Sequence, residues 1–170
     1  MMAESPMERG QKWLQALLQL TGAPAQVVGK LEATANPQTE EPDSYWLTIN
    51  HGELTPEQIQ LLIGRDGAVL DAIQYLANST LNINQAPELQ AGYTIELNGY
   101  RVRRQAEVRA IAETAAEQAR TTGQEVEIRS LSSVERREVH TFLKEFTDLE
   151  TFSRGKEPQR NLVVRLASLM

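Results

Sequence analysis

The chain has 170 residues, 41% of them apolar and 24% charged, which suits one ordinary domain or two small ones with a core of their own. The absence of cysteine excludes disulfides, thiol nucleophiles and cysteine-based zinc sites, and only two histidines, His51 and His140, exclude a histidine-rich metal centre. No apolar run approaches the roughly 20 residues a membrane-spanning helix needs, and Met1-Met2-Ala3-Glu4-Ser5-Pro6 lacks the basic segment and apolar stretch of a signal peptide. A cytoplasmic location without membrane insertion is the expectation.

The net charge of -6 argues mildly against a nucleic-acid partner, but it is unevenly spread. Residues 1–99 hold 4 basic and 12 acidic side chains, net -8, whereas residues 100–170 hold 13 basic and 11 acidic, net +2. Such asymmetry suggests two modules with different surfaces.

In chain order, Pro6 to Leu20 reads as a helix, with Trp13, Leu14, Leu17, Leu18 and Leu20 as its apolar stripe, ended by Thr21-Gly22-Ala23-Pro24. Ala25 to Ala33 reads as a strand, Asn36-Pro37 through Pro42-Asp43 as a polar turn, and Tyr45 to Ile49 as a second strand. Trp13 and Trp46 are expected in the core and His51 in a turn. Thr55, Pro56 and Gln58 form a capping box with proline at the first helical position. The helix they open, with Ile59, Leu61, Leu62 and Ile63, stops at Gly64. After Gly64-Arg65-Asp66-Gly67 another helix begins, with Val69, Leu70, Ile73, Leu76 and Ala77 on one face. Asn82 to Gln90 reads as a loop and Tyr93 to Leu97 as a third strand. Tyr100 to Thr122 is the longest helical stretch, with a narrow stripe of Val108, Ile111, Ala112, Ala115 and Ala119, and Gly123 ends it. Glu125 to Ile128 reads as a short strand. Ser132 or Ser133 caps a helix running through Val139, Phe142, Leu143 and Phe146. After a polar loop, Leu162 to Leu166 reads as the last strand.

Three segments carry candidate chemistry. Gly64 and Gly67 bracket a two-residue turn between apolar helices, and the second helix points free N–H groups and its positive dipole end at that turn, a place for a phosphate. By itself such a turn commonly serves only to join helices. Its setting, helix, strand, strand, helix, turn, helix, strand, resembles a type II KH domain, whose GxxG loop clamps about four nucleotides of single-stranded nucleic acid. The resemblance covers roughly residues 6–99 and makes Gly64, Arg65 and Gly67 backbone-contacting residues, with Ile63, Val69 and Ile73 as candidates for an apolar base groove or for plain core. Asp66 departs from the basic pair common in that loop. A carboxylate about 5 Å from a phosphate repels it by roughly 1 to 3 kcal/mol.

In the second segment, Arg136 and His140 stand four apart and so share a helix face, and both can donate to a phosphate. The run from Ser133 to His140, followed by Ser153, Arg154, Gly155, Lys156, Pro158 and Arg160, closely resembles a small single-strand nucleic-acid-binding module, the R-x-x-x-H domain. The resemblance makes Arg136, His140, Arg154, Lys156 and Arg160 phosphate ligands. In the third segment, Gly99-Tyr100-Arg101-Val102-Arg103-Arg104 places Arg101 and Arg104 at the start of the long helix. They oppose its dipole there by a few tenths of a kcal/mol each, which leaves two readings, helix-start residues exposed to solvent or residues held by a nucleic-acid or carboxylate partner.

The three motifs in this order resemble the Jag family, also called KhpB or EloR. The fold class expected is α+β: a type II KH-like domain (α-β-β-α-α-β) over 1–99, a connecting helix over 100–122, and a small α/β R-x-x-x-H domain over 123–170. The resemblance implies a bacterial, cytoplasmic RNA-binding protein without enzyme activity, cofactor or metal, linked to cell elongation and division. It implies a short form lacking the family's N-terminal Jag domain. The implied partners are single-stranded RNA, with single-stranded DNA as the other substrate to test, and a KH-only protein or a second copy of the chain. The alternative is a protein-interaction scaffold whose acidic half binds a KH partner, with RNA secondary. A nuclease using His140 as base lacks a second histidine nearby and a carboxylate pair of metal-like spacing.

Overall fold

The computed structural model describes residues 4–32 and 42–168. The chain divides into two compact units, Met1–Arg101 and Val102–Met170. The first contains α1 (Pro6–Leu20), β1 (Val27–Glu32), β2 (Ser44–Ile49), α2 (Pro56–Ile63), α3 (Ala68–Leu81) and β3 (Gly92–Leu97). Helix α1 begins where Ser5 and Glu8 form a reciprocal capping box and Pro6 supplies the first turn. A second capping box, Thr55 with Gln58, starts α2.

The sheet order is β1-β2-β3. Strands β1 and β2 pair antiparallel from Val27↔Ile49 to Glu32↔Ser44, and β2 pairs with β3 in parallel from Ser44↔Gly92 to Ile49↔Leu97. A parallel pair needs a crossover, which α2 and α3 provide. The core gathers Leu14, Leu18, Leu47, Ile49, Leu70, Ile95 and Leu97, all fully buried, each contributing about 1.5–3 kcal/mol. The expected first strand is trimmed to Val27–Glu32, and Ala33 and the part of the polar turn up to residue 41 lie outside the described residues. Trp13 packs half-buried against the core. Trp46 does not join it: β2 turns Tyr45, Leu47 and Ile49 inward, so Trp46 lies half-buried on the other face, between Ser44 and Thr48. Leu20, the last residue of α1, is 86% exposed.

Strand β3 is an edge strand, and α3 closes its outer side with a ladder of side-chain amides. Asn82 donates to the Ala91 carbonyl (2.8 Å) and accepts from its N–H (2.9 Å). Asn78 does the same at Tyr93, at 2.8 and 2.9 Å. Gln74 accepts from the Ile95 N–H (2.9 Å), and Arg101 Nε donates to the Ile95 carbonyl (3.1 Å). Three amides four residues apart thus stand in for a missing strand.

The second unit holds α4 (Tyr100–Thr122) from Val102 onward, then β4 (Val126–Ile128), α5 (Ser133–Leu143), β5 (Leu149–Arg154) and β6 (Asn161–Leu166). Its sheet order is β4-β6-β5, with both pairings antiparallel. Val108, Ala112, Ala115, Ala116 and Ala119 of α4 enter one core with Ile128, Val139, Leu143, Leu149, Leu162 and Val164. The helix set apart above as a connector is therefore core-forming in this unit, with Ile111 left 38% exposed at the margin of its stripe. The segment read as polar loop before the last strand contains β5. Cations cover the aromatic rings of this unit: Arg109 lies 4.2 Å from the Phe142 centroid and Arg120 lies 5.1 Å from that of Phe146. Arg120 also grips Asp148 with two bonds, at 2.7 and 3.1 Å.

Two outcomes are expected. Asn78→Ala removes both partners of the Tyr93 backbone groups and should cost about 2–3 kcal/mol in urea unfolding, with faster hydrogen exchange at Tyr93. Exposed Gln19→Ala should be near neutral. In unit 2, the Arg120 guanidinium holds the Asp148 carboxyl below the usual carboxylate range. A depressed carboxylate stabilises above its unfolded pKa, and that contribution is lost as pH falls through the folded value. The Tm deficit of Arg120→Ala should accordingly be largest near neutral pH and shrink as the solution is acidified, leaving only the loss of the Phe146 contact.

Candidate nucleic-acid interface

In unit 1 the turn between α2 and α3 is built from left-handed backbone. Gly64, Asp66 and Gly67 have φ of 72°, 52° and 78°. Gly67 is required twice over, by its φ and because a Cβ there would overlap the Tyr100 hydroxyl. Helix α3 starts directly after it with no side-chain cap on its first N–H groups. The Arg65 side chain is 97% exposed and that of Asp66 59%, with Nε and Oδ2 4.0 Å apart. Beside the turn, Val69 is 40% exposed, Ile63 packs half-buried against the core and Ile73 is core. Leu61, Tyr75 and Leu76 add exposed apolar surface on α2 and α3.

The start of α4 is engaged within unit 1. Tyr100 fills the space beside Gly67. Arg101 pairs with Asp71, donates to Gln74 Oε1 (3.1 Å), and has a side chain only 18% exposed. Glu96, buried at 5% exposure, accepts from the Leu97 and Arg101 backbone N–H groups at 2.8 and 3.0 Å. These contacts fix α3 to β3, and Arg101 presents little of its guanidinium to solvent.

In unit 2, Arg104 forms a fork with Glu135 (2.7 and 3.3 Å) and reaches the Ser130 carbonyl (3.3 Å), with its side chain 15% exposed. Glu135 is also the acid of the Ser132 capping box that opens α5. Arg136 and His140 share a face of α5 but meet different surroundings. Arg136 is 6% exposed and donates from one terminal nitrogen to the carbonyls of Leu131 (2.7 Å) and Arg160 (3.1 Å). Its other terminal nitrogen pairs with the Glu157 carboxylate. Its guanidinium is thus aimed inward, at the loop between β5 and β6, rather than at solvent. His140 is exposed, and its Nδ1 meets Thr151 Oγ1 on β5.

The β5–β6 loop carries accessible charge. Lys156 and Arg160 are exposed. Arg154 is half-exposed, paired with Glu125 at 2.7 Å and placed 5.4 Å from the Phe152 centroid. Glu125 is held below the usual carboxylate range first by its bond from Arg154 and then by Arg165. Gly155 has φ of 90°, and a Cβ there would lie 2.8 Å from the Gln159 carbonyl oxygen, so the loop closes only with glycine.

Of the residues selected from sequence, Arg154 ends β5, Lys156 and Arg160 lie in the loop that follows, and Arg136 reaches that loop from α5, with His140 one turn away on the same helix. Gly64, Arg65, Gly67 and Arg101 belong to unit 1. Sequence reasoning passed over Glu157 and Thr151, and named Tyr100 only as part of the segment that opens α4. Glu157 was signalled by its place inside the basic run, and Tyr100 by its place after Gly99. Among the described residues no group of three or more His, Asp or Glu could hold a metal ion, and no helix is long and apolar enough to cross a membrane.

Gly155→Ala should lower stability by about 1–3 kcal/mol, with chemical-shift changes confined to β5, β6 and Arg136 in a ¹⁵N spectrum.

Comparison with known proteins places this loop in a family context. The family model of the R-x-x-x-H domain matches residues 106–166, which takes in Arg136, His140 and the whole β5–β6 loop. The RNA-binding protein KhpB of Lactiplantibacillus plantarum is 33% identical over 106 residues, 62% of this chain and 32% of that protein. KhpB of Clostridium symbiosum is 27% identical over 113 residues, 66% of this chain and 50% of its own length. The match thus spans half or less of the length of these two relatives. KhpB of Bacillus subtilis is 26% identical over 161 residues, 94% of this chain and 70% of its own length. An R-x-x-x-H domain carrying the Arg136–His140 motif, and a likeness to KhpB of Bacillus subtilis that extends across 94% of the chain, support its resemblance to the Jag/KhpB family.

Proposed function

We propose that this chain is a non-catalytic, single-stranded RNA-binding protein of the cytoplasm, acting as a post-transcriptional regulator or RNA chaperone. Its grip on RNA is centred on unit 2. The observation that carries this reading is the β5–β6 loop, which holds Lys156 and Arg160 exposed beside a half-exposed Arg154 at the end of β5, within the R-x-x-x-H domain match. Such cations suit a phosphate backbone, and the relatives bear the name RNA-binding protein. His140 adds an exposed donor from α5, and Arg136 fixes the loop from below. We read unit 1 as a type II KH-like module. Its element order, its mixed sheet and the Gly64–Gly67 turn over the uncapped start of α3 support that reading. Family resemblance links the activity to bacterial cell elongation and division.

A second reading, a scaffold that binds a KH-only protein or a second copy, is favoured by one observation. Leu61, Val69, Tyr75 and Leu76 are exposed on the acidic unit 1.

Fluorescence anisotropy with labelled single-stranded octa-uridine distinguishes the two. Three loop contacts predict a slope of log affinity against log salt of about -2. Lys156→Ala/Arg160→Ala should weaken binding about tenfold or more, and Gly64→Asp should weaken it less. The RNA should remain intact on long incubation with magnesium or manganese. Salt-insensitive binding, or none, would overturn the RNA reading and favour the scaffold, to be sought by light scattering with a KH-only protein.

A further inference from the structure

Arg136 poses an electrostatic question that its place in the motif does not answer. It is 6% exposed and cannot lose its charge, so it requires an anion. Among the described residues its one ionic partner is Glu157. Glu157 is an unusual counter-ion for so buried a cation, because its own side chain is 57% exposed and rides on a surface loop. It is also the sole acid from Thr151 to Met170, a stretch that holds Arg154, Lys156, Arg160 and Arg165. A phosphodiester approaching the loop cations meets this carboxylate among them, as it meets Glu125 beside Arg154.

The guanidinium is prepared for exchange of that partner. One terminal nitrogen is fixed by the carbonyls of Leu131 and Arg160 at 2.7 and 3.1 Å, and those bonds do not involve Glu157. The other nitrogen faces the exposed carboxylate, and a phosphate oxygen accepts from a guanidinium N–H in the same manner. We propose that Glu157 occupies in the free protein the place a phosphate of bound RNA takes on Arg136, so that binding displaces the Glu157 side chain. Glu157 thereby sets how tightly the loop holds a phosphodiester. This rests on the RNA-binding reading above and adds a residue to it that opposes binding.

The test is a double-mutant cycle read by octa-uridine anisotropy, with folding checked by Tm. Glu157→Gln keeps the length and an acceptor but removes the charge. It should bind about three- to fivefold tighter than the parent chain while its Tm falls or stays level. In an Arg136→Lys background the same change should give no gain. Glu145→Gln, which neutralises another exposed acid of this unit, should leave affinity within about twofold. Unchanged or weaker binding by Glu157→Gln would overturn the inference, and so would an equal gain in the Arg136→Lys background, which would make the effect a general field. Should Arg136→Lys not fold, the Arg136 Nε–Hε resonance of the parent chain decides. It should move on RNA addition, and no movement overturns the inference. Absence of RNA binding by both the parent chain and Glu157→Gln would sink the RNA reading itself, whereas binding without a gain sinks only the role of Glu157.

Discussion

Backbone donors and acceptors that regular structure leaves unpaired must find partners before a small unit can be stable, and here long polar side chains supply them. In unit 1 the outer side of β3 is met by Gln74, Asn78, Asn82 and Arg101. In unit 2 the carbonyls of Leu131 and Arg160 converge on one nitrogen of Arg136. Each case ties a helix to a segment it must hold in register. Leaving such a group bare costs about 1–3 kcal/mol, a large share of a small domain's total stability.

This constraint also organises the charge. The C-terminal half is rich in arginine, yet several of those arginines are engaged inside unit 2. Arg104 joins Glu135, Arg120 joins Asp148, and Arg165 joins Glu150 and Glu125. The open charge of the candidate interface is concentrated on the short turn of chain between β5 and β6. A small protein of overall negative charge can therefore offer a nucleic acid one local positive surface without being basic as a whole.

The elements were legible where apolar spacing and caps agreed. Ser5 with Glu8, Thr55 with Gln58, and Ser132 with Glu135 each mark a helix start that the structure contains. Strand β5 was not legible, because Leu149–Arg154 offers only Leu149 and Phe152 as apolar residues and runs from a buried start to an exposed end without alternating. The amide ladder was hidden for another reason. Gln74, Asn78 and Asn82 look like the polar face of α3, and only the parallel pairing of β3 brings a free strand edge against them. Of the site, the motif residues could be named from sequence. That Arg136 turns inward while His140 stays exposed could not, since one helix face does not say which of its residues lies over a loop.

The ladder on β3 has a consequence for how this chain behaves at high concentration. A sheet grows when an incoming strand finds a row of unmet donors and acceptors. Between Ala91 and Ile95 that row is already occupied by side chains of the same molecule. Intermolecular β-sheet cannot nucleate along this border unless α3 first lifts away, so the barrier to assembling aggregates there is the local unfolding of a helix that also forms part of the core.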